Sequence, residues 1–207
     1  MTEVTIYAGD HPGLFSRIAG AMALSGASIV DAKIYTLTNG KALDIFWVQD
    51  AEGGAFDDAG RLKRLSSRIA ESLKGEIATG RELMGRESLP SRARVFAVPP
   101  RVLIDEAASA THTVIEVNGR DRPGLLYEVT RALTDLGLQI SSAKISTYGE
   151  RVIDVFYVKD VFGMKIQHDA KHTAIRDRLM LALVEPALPA EKQTSQEHGE
   201  AAPQGAG

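Results

Sequence analysis

Asp10-His11-Pro12-Gly13-Leu14 recurs 111 residues later as Asp121-Arg122-Pro123-Gly124-Leu125. Holding that offset, Gly26 aligns with Gly137, Ile29 with Ile140, and Ala32-Lys33-Ile34 with Ala143-Lys144-Ile145. Residues 2–36 carry 12 identities in 35 positions, too many for chance, so the chain holds two copies of one unit. One residue is then lost in a turn, and Asp44, Phe46, Val48 and Asp50 match Asp154, Phe156, Val158 and Asp160.

Each copy has the same plan. Val4-Thr5-Ile6 and Thr113 to Val117 are short β-rich runs. Pro12 and Pro123 stand where a helix is expected to begin, with φ already fixed. Leu14, Ile18 and Met22, like Leu125, Val129 and Leu133, keep helical spacing, and Gly26 and Gly137 stop those helices. A strand, a turn at Asn39-Gly40 or Gly149-Glu150, and a further strand follow. That last strand is apolar on both faces, which predicts a central strand in a sheet whose second face is also covered. Amphipathic segments at Asp57 to Lys74 and His168 to Val184 complete the units. The order β-α-β-β-α, twice, gives an α+β fold of two ferredoxin-like units in tandem, with two sheets each covered by helices on one face.

Nothing strand-like follows Val184, so Val102 to Ile104 is expected to lie antiparallel to Thr113 to Val117 as an edge strand supplied from the linker. The chain then divides into a first unit (1–75), a linker with helix and extended segments (76–101), a second unit with its preceding edge strand (102–185) and a disordered tail (186–207).

Composition narrows the function. Twenty-four basic against 27 acidic residues leave a net charge of −3, without the basic excess of a nucleic-acid binder. Cysteine is absent, which removes disulfides, thiolate metal sites and a cysteine nucleophile. With no long apolar run and no signal-like start, the expectation is a cytoplasmic protein without a membrane partner. No complete catalytic set, metal set or cofactor motif is found. His168 and His172 have the i, i+4 spacing of a two-imidazole clamp, but no third ligand is near in sequence, and a solvated helix face is the favoured alternative. Lys33 and Lys144 read as solvated lysines near a strand edge.

The paired Asp-x-Pro-Gly-Leu turns, the Gly26 and Gly137 stops and the Ala-Lys-Ile strands resemble a tandem of ACT domains, small regulatory modules of ferredoxin-like fold that bind amino acids. From Val95-Phe96-Ala97-Val98-Pro99-Pro100 onward, the runs Glu116 to Leu125, Ala143 to Arg151 and Asp154 to Val158 resemble the C-terminal end of the bifunctional [protein-PII] uridylyltransferase and uridylyl-removing enzymes. The resemblance implies a glutamine-sensing pair controlling uridylylation of the PII nitrogen signal protein, with catalytic domains that are not in this chain supplied in cis or trans. It implies ligand contacts at Asp10, Pro12, Gly13, Leu14 and Ile29 in the first copy. In the second it implies Asp121, Arg122, Pro123, Gly124, Leu125, Gln139 and Ile140. The turn itself supports this, because backbone N–H groups at a helix N-terminus suit a carboxylate and a glycine admits a ligand close to the backbone. Its alternative is purely structural, with Asp as helix cap and Pro as first residue. A stand-alone small-molecule regulator and a ligand-free dimerisation module are the rival functions, and a homodimer is compatible with all three.

Overall fold

The computed structural model describes residues 1–84, 98–122, 124–148 and 150–184. The expected extended segment Val95 to Ala97 and the tail from 186 fall outside the described residues, as does Pro123. In chain order the elements are β1 (Thr2–Gly9), α1 (Leu14–Leu24), β2 (Ser28–Thr36), β3 (Lys41–Gln49), α2 (Ala59–Lys74) and the short α3 (Thr79–Met84). The second copy continues with β4 (Arg101–Asp105), β5 (Thr113–Arg120), α4 (Leu125–Asp135), β6 (Gln139–Lys144), β7 (Thr147–Tyr148), β8 (Arg151–Lys159) and α5 (Asp169–Leu183).

Instead of two sheets, the described strands form one, in the order β1-β3-β2-β6-β8-β5-β4, with β7 paired to β8. The junction is the antiparallel pairing of β2 with β6, Asp31 opposite Lys144, Ala32 opposite Ala143 and Lys33 opposite Ser142. Two free edges of the same sequence type meet there, and their small inward residues Ala32 and Ala143 let the helices above them close. The central place of the third strand in each unit is as expected. So is the pairing of β4 with β5, where Val102 faces Val117 and Ile104 faces Ile115.

One row of directly paired residues crosses the whole sheet: Val4, Phe46, Ala32, Ala143, Phe156, Ile115 and Ile104. This row and its neighbours carry the core beneath the helices, with Phe46, Phe156 and Ile115 fully buried. The opposite face corrects the expectation of a second covered layer. Leu43, Ile45 and Trp47 in β3, and Ile153, Val155 and Tyr157 in β8, are only half-buried. They are shielded by cross-strand neighbours such as Lys33, whose ammonium lies 5.5 Å from the centroid of the Trp47 ring. Apolar outward residues here report neighbours within the sheet, and no helix among the described residues covers them.

Candidate functional site

The two Pro-Gly turns open both α1 and α4, and their geometry removes the capping alternative. Gly13 and Gly124 are the N-cap residues, each left-handed at φ +83° and +81°, and neither helix has a side-chain cap. A left-handed residue cannot continue a right-handed helix, so the helices begin at Leu14 and Leu125 and Pro12 stands in the turn before them. Asp10, free of a capping role, accepts a hydrogen bond from Thr36 Oγ1 at 2.8 Å. The turns are tied to the following hairpins by Asp10 N–H to Gly40 O (3.2 Å) and Asp121 N–H to Glu150 O (2.8 Å).

Each turn faces the other unit across the sheet junction. One cleft, about 430 Å³, is lined by Asp10 to Phe15, Ile34, Thr36 and Asp44 from the first unit, and by Thr134, Asp135, Gly137 to Ile140 and Val161 from the second. The other, about 420 Å³, reverses the roles, with Asp121, Arg122, Gly124 to Tyr127, Ile145, Thr147, Val152 and Asp154 facing Ala19, Ala23, Gly26 to Ile29 and Ala51. Both volumes suit a small molecule. The helix-stopping glycines thus have a second use. Gly26 (φ +72°) and Gly137 (φ +72°) end α1 and α4, with Ala27 N–H bonding Met22 O and Leu138 N–H bonding Leu133 O, and each forms a wall of the opposite unit's cleft. The strands entering these walls carry matching bulges, between Ile29 and Asp31 and between Ile140 and Ser142.

The structure therefore brings Asp10, Pro12, Gly13 and Leu14 together with Gln139 and Ile140, and Asp121, Arg122, Gly124 and Leu125 together with Ile29. Grouping by copy did not anticipate this exchange. Arg122 is largely committed elsewhere. Its guanidinium bonds both Glu128 oxygens, at 3.2 and 2.5 Å, and Ala182 O at 2.8 Å. Lys33 and Lys144 lie on the open face, the latter 3.0 Å from Asp31, away from both clefts. His172 does not lie on a solvated helix face. It is buried, with Nε2 3.0 Å from Ile166 O and Nδ1 3.2 Å from Glu106. Among the described residues no group of three or more His, Cys, Asp or Glu could hold a metal ion.

Two cleft residues escaped the reading of the turns. Asp44 and Asp154 occupy equivalent inward positions of the central strands, 1% and 2% exposed. Neither carboxylate oxygen of Asp44 has a hydrogen-bond partner. Desolvation, reinforced by the charge of Asp10, pushes its carboxyl up to about 7, and the nearby Tyr35 amide offsets this only partly. Asp154 accepts one bond from Ser146 N–H at 3.3 Å and is likewise pushed up to about 7, mainly by desolvation and further by the charge of Asp121. Asp121 keeps an exposed edge, yet desolvation at the cleft raises it too, against the opposing Arg122 amide. The signal was present in the sequence: an acidic residue inside Leu43-Asp44-Ile45-Phe46 and again inside Ile153-Asp154-Val155-Phe156 breaks an otherwise apolar strand at the same place twice.

Comparison with known proteins agrees with this architecture. Residues 101–188 match the family model described as ACR9-like, ACT-like domain. A bifunctional uridylyltransferase/uridylyl-removing enzyme of Azospirillum brasilense is 64% identical over 189 residues, 90% of this chain and 20% of that protein. The enzymes of Rhodospirillum rubrum and Gluconobacter oxydans are 54% and 55% identical, over 96% and 88% of this chain and 21% and 20% of their own lengths. This chain spans about a fifth of the length of these curated relatives. No described helix is long and apolar enough to cross a membrane. Residues 101–188 are thus similar to an ACT-like domain, and the chain is similar over most of its length to one segment of the bifunctional uridylyltransferase/uridylyl-removing enzymes.

Proposed function

We propose that this chain is a cytoplasmic glutamine sensor whose two clefts report amino-acid supply to catalytic domains acting on the PII signal protein. The observation that carries the reading is the pair of equivalent clefts at the unit junction, each uniting a helix-opening turn, apolar walls and a buried carboxylate. The first turn of a helix offers N–H groups to a ligand carboxylate. In α1, the Leu14 amide is already bonded to His11 O and that of Arg17 to Gly13 O. Those of Phe15 and Ser16 have no backbone acceptor outside the helix. A ligand bound in either cleft touches both units, so its binding energy acts on their relative placement, the property a sensor requires.

Isothermal calorimetry with L-glutamine tests the proposal, with two ligands per chain expected. At a hundredfold excess over the dissociation constant each occupied site stabilises the folded state by about 2.7 kcal/mol. That corresponds to a melting shift of roughly 5–10 °C per site for a two-state body of this size. A folded chain that shows no heat and no shift with millimolar glutamine rejects glutamine sensing. A second reading, a homodimerisation module, is supported by the open sheet face with Tyr7 59% and Tyr35 46% exposed. Sedimentation with and without glutamine separates it from sensing.

A further inference from the structure

The structure assigns Asp44 and Asp154 a role of their own: we infer that each carboxylate receives the ammonium group of an α-amino acid at the inner wall of its cleft. This rests on the sensor reading and deepens it. Asp44 is paired with Ile6 on one side and Ile34 on the other, and Asp154 with Val117. Residues two positions further along the same face are Phe46 and Phe156, both fully buried. A buried carboxylate in such a row is costly unless something partners it, and an apolar residue of similar size would pack at no such cost. Neither aspartate takes part in any salt bridge among the described residues, and the Asp44 oxygens are unbonded.

What the pair lacks is therefore a cationic donor, and both line a cleft large enough to admit one. The charged and titratable groups facing them are few. Asp10 on its own unit, His11 in the turn and Asp135 at the end of α4 share the first cleft, while Asp121, Arg122 and Tyr127 share the second. The Arg122 guanidinium is held by Glu128 and Ala182 O through its terminal nitrogens, its buried Nε has no hydrogen-bond partner, and it forms no ion pair with Asp121 or Asp154. A helix-opening turn at the rim and a carboxylate on the inner wall are complementary to the two charges of a zwitterion.

Proton linkage follows. An ammonium favours the ionised carboxylate, so binding to a carboxyl that is largely protonated below pH 7 must release a proton. Affinity should then rise up to about tenfold per pH unit toward pH 7 and level off above it. His11 also lines the first cleft, so His11→Gln serves as a control there. Among the described residues no histidine lines the second cleft.

The test screens the common L-amino acids by thermal shift. Calorimetry with L-glutamine and N-acetyl-L-glutamine then runs from pH 5.5 to 8.5, in buffers of differing ionisation heat. L-Glutamine should bind with proton release and the stated pH profile. N-acetyl-L-glutamine, which lacks the ammonium, should bind about 10–100-fold more weakly. Asp44→Asn and Asp154→Asn should each weaken one of the two sites by a similar factor and flatten its pH profile, while melting shows them folded. If both Asn variants keep wild-type affinity and pH dependence, or N-acetyl-L-glutamine binds as tightly as glutamine, the ammonium role is overturned and the sensor reading stands. If another amino acid binds with this ammonium and pH dependence and glutamine does not, only glutamine as ligand falls. Binding by no amino acid overturns both.

Discussion

An aspartate sealed inside a strand sets a pH dependence even without ligand. Asp44 and Asp154 have carboxyl groups raised from 3.8 to about 7 in the folded chain, so the folded state holds protons that the unfolded chain gives up at lower pH. The sign follows directly: stability is greatest below the unfolded value near pH 4 and is lost as pH rises through about 7. The loss is on the order of several kcal/mol for the two together. Urea unfolding should show stability falling between pH 4 and 7.5, against the usual trend for surface ion pairs. The double variant Asp44→Asn, Asp154→Asn should remove most of that slope and be more stable than the parent at pH 8. A parent whose stability is flat or rising over this range would show that the two carboxyls are not held protonated. At this scale the sequence displayed the interruption of each strand but not its meaning, because whether a strand aspartate faces solvent or a core depends on which face the helices cover.

At the scale of the element, the helix-opening turns are the most legible feature and also the one whose boundary the residues misplace. Proline favours a first helical position, but Gly13 and Gly124 at positive φ put the boundary two residues later. The two turns also differ in their surroundings. A Cβ at Gly124 would lie 3.4 Å from Leu83 of α3, whereas one at Gly13 would meet Thr134 and Ser16 no closer than 3.5 Å. Leu83 is buried, and Arg68 on α2 holds the same short helix through Glu82 at 3.1 Å. Leu83 of the linker helix therefore packs beside the second turn, while Thr134 and Ser16 flank the first. Gly13→Ala and Gly124→Ala should each cost about 1–3 kcal/mol from backbone strain. An added methyl meets only ordinary contacts in both turns, and the two φ values are nearly equal, so the two costs should be similar. Chemical denaturation of each variant measures them. A variant that loses no stability would show that its turn does not depend on the positive φ of its glycine.

Across the whole molecule, the repeat and the β-α-β-β-α order are plain in the sequence, and the joining of two sheets into one is not. Nothing local distinguishes an edge strand that meets solvent from one that meets its own duplicate; Asp31, Ala32 and Lys33 read alike in both cases. The join has two parts of unequal weight. The outward ion pair of Lys144 with Asp31 is solvent-exposed and worth at most about 1 kcal/mol. The inward pair of Ala32 and Ala143 is 0% and 2% exposed beneath packed helices, where an added aromatic ring has no room. Lys144→Ala should therefore leave stability within about 1 kcal/mol and both sites intact. Ala143→Phe should cost about 1–3 kcal/mol or more by overpacking. Because each cleft takes walls from both units, that variant should also weaken both sites together, whereas a substitution at one turn weakens one. Calorimetric stoichiometry distinguishes the cases: Gly13→Val should bind one glutamine per chain, and Ala143→Phe should lose affinity at both sites at once. Retention of one full-affinity site in a folded Ala143→Phe chain would mean that a single unit suffices to bind, and that the shared clefts are not where the signal begins.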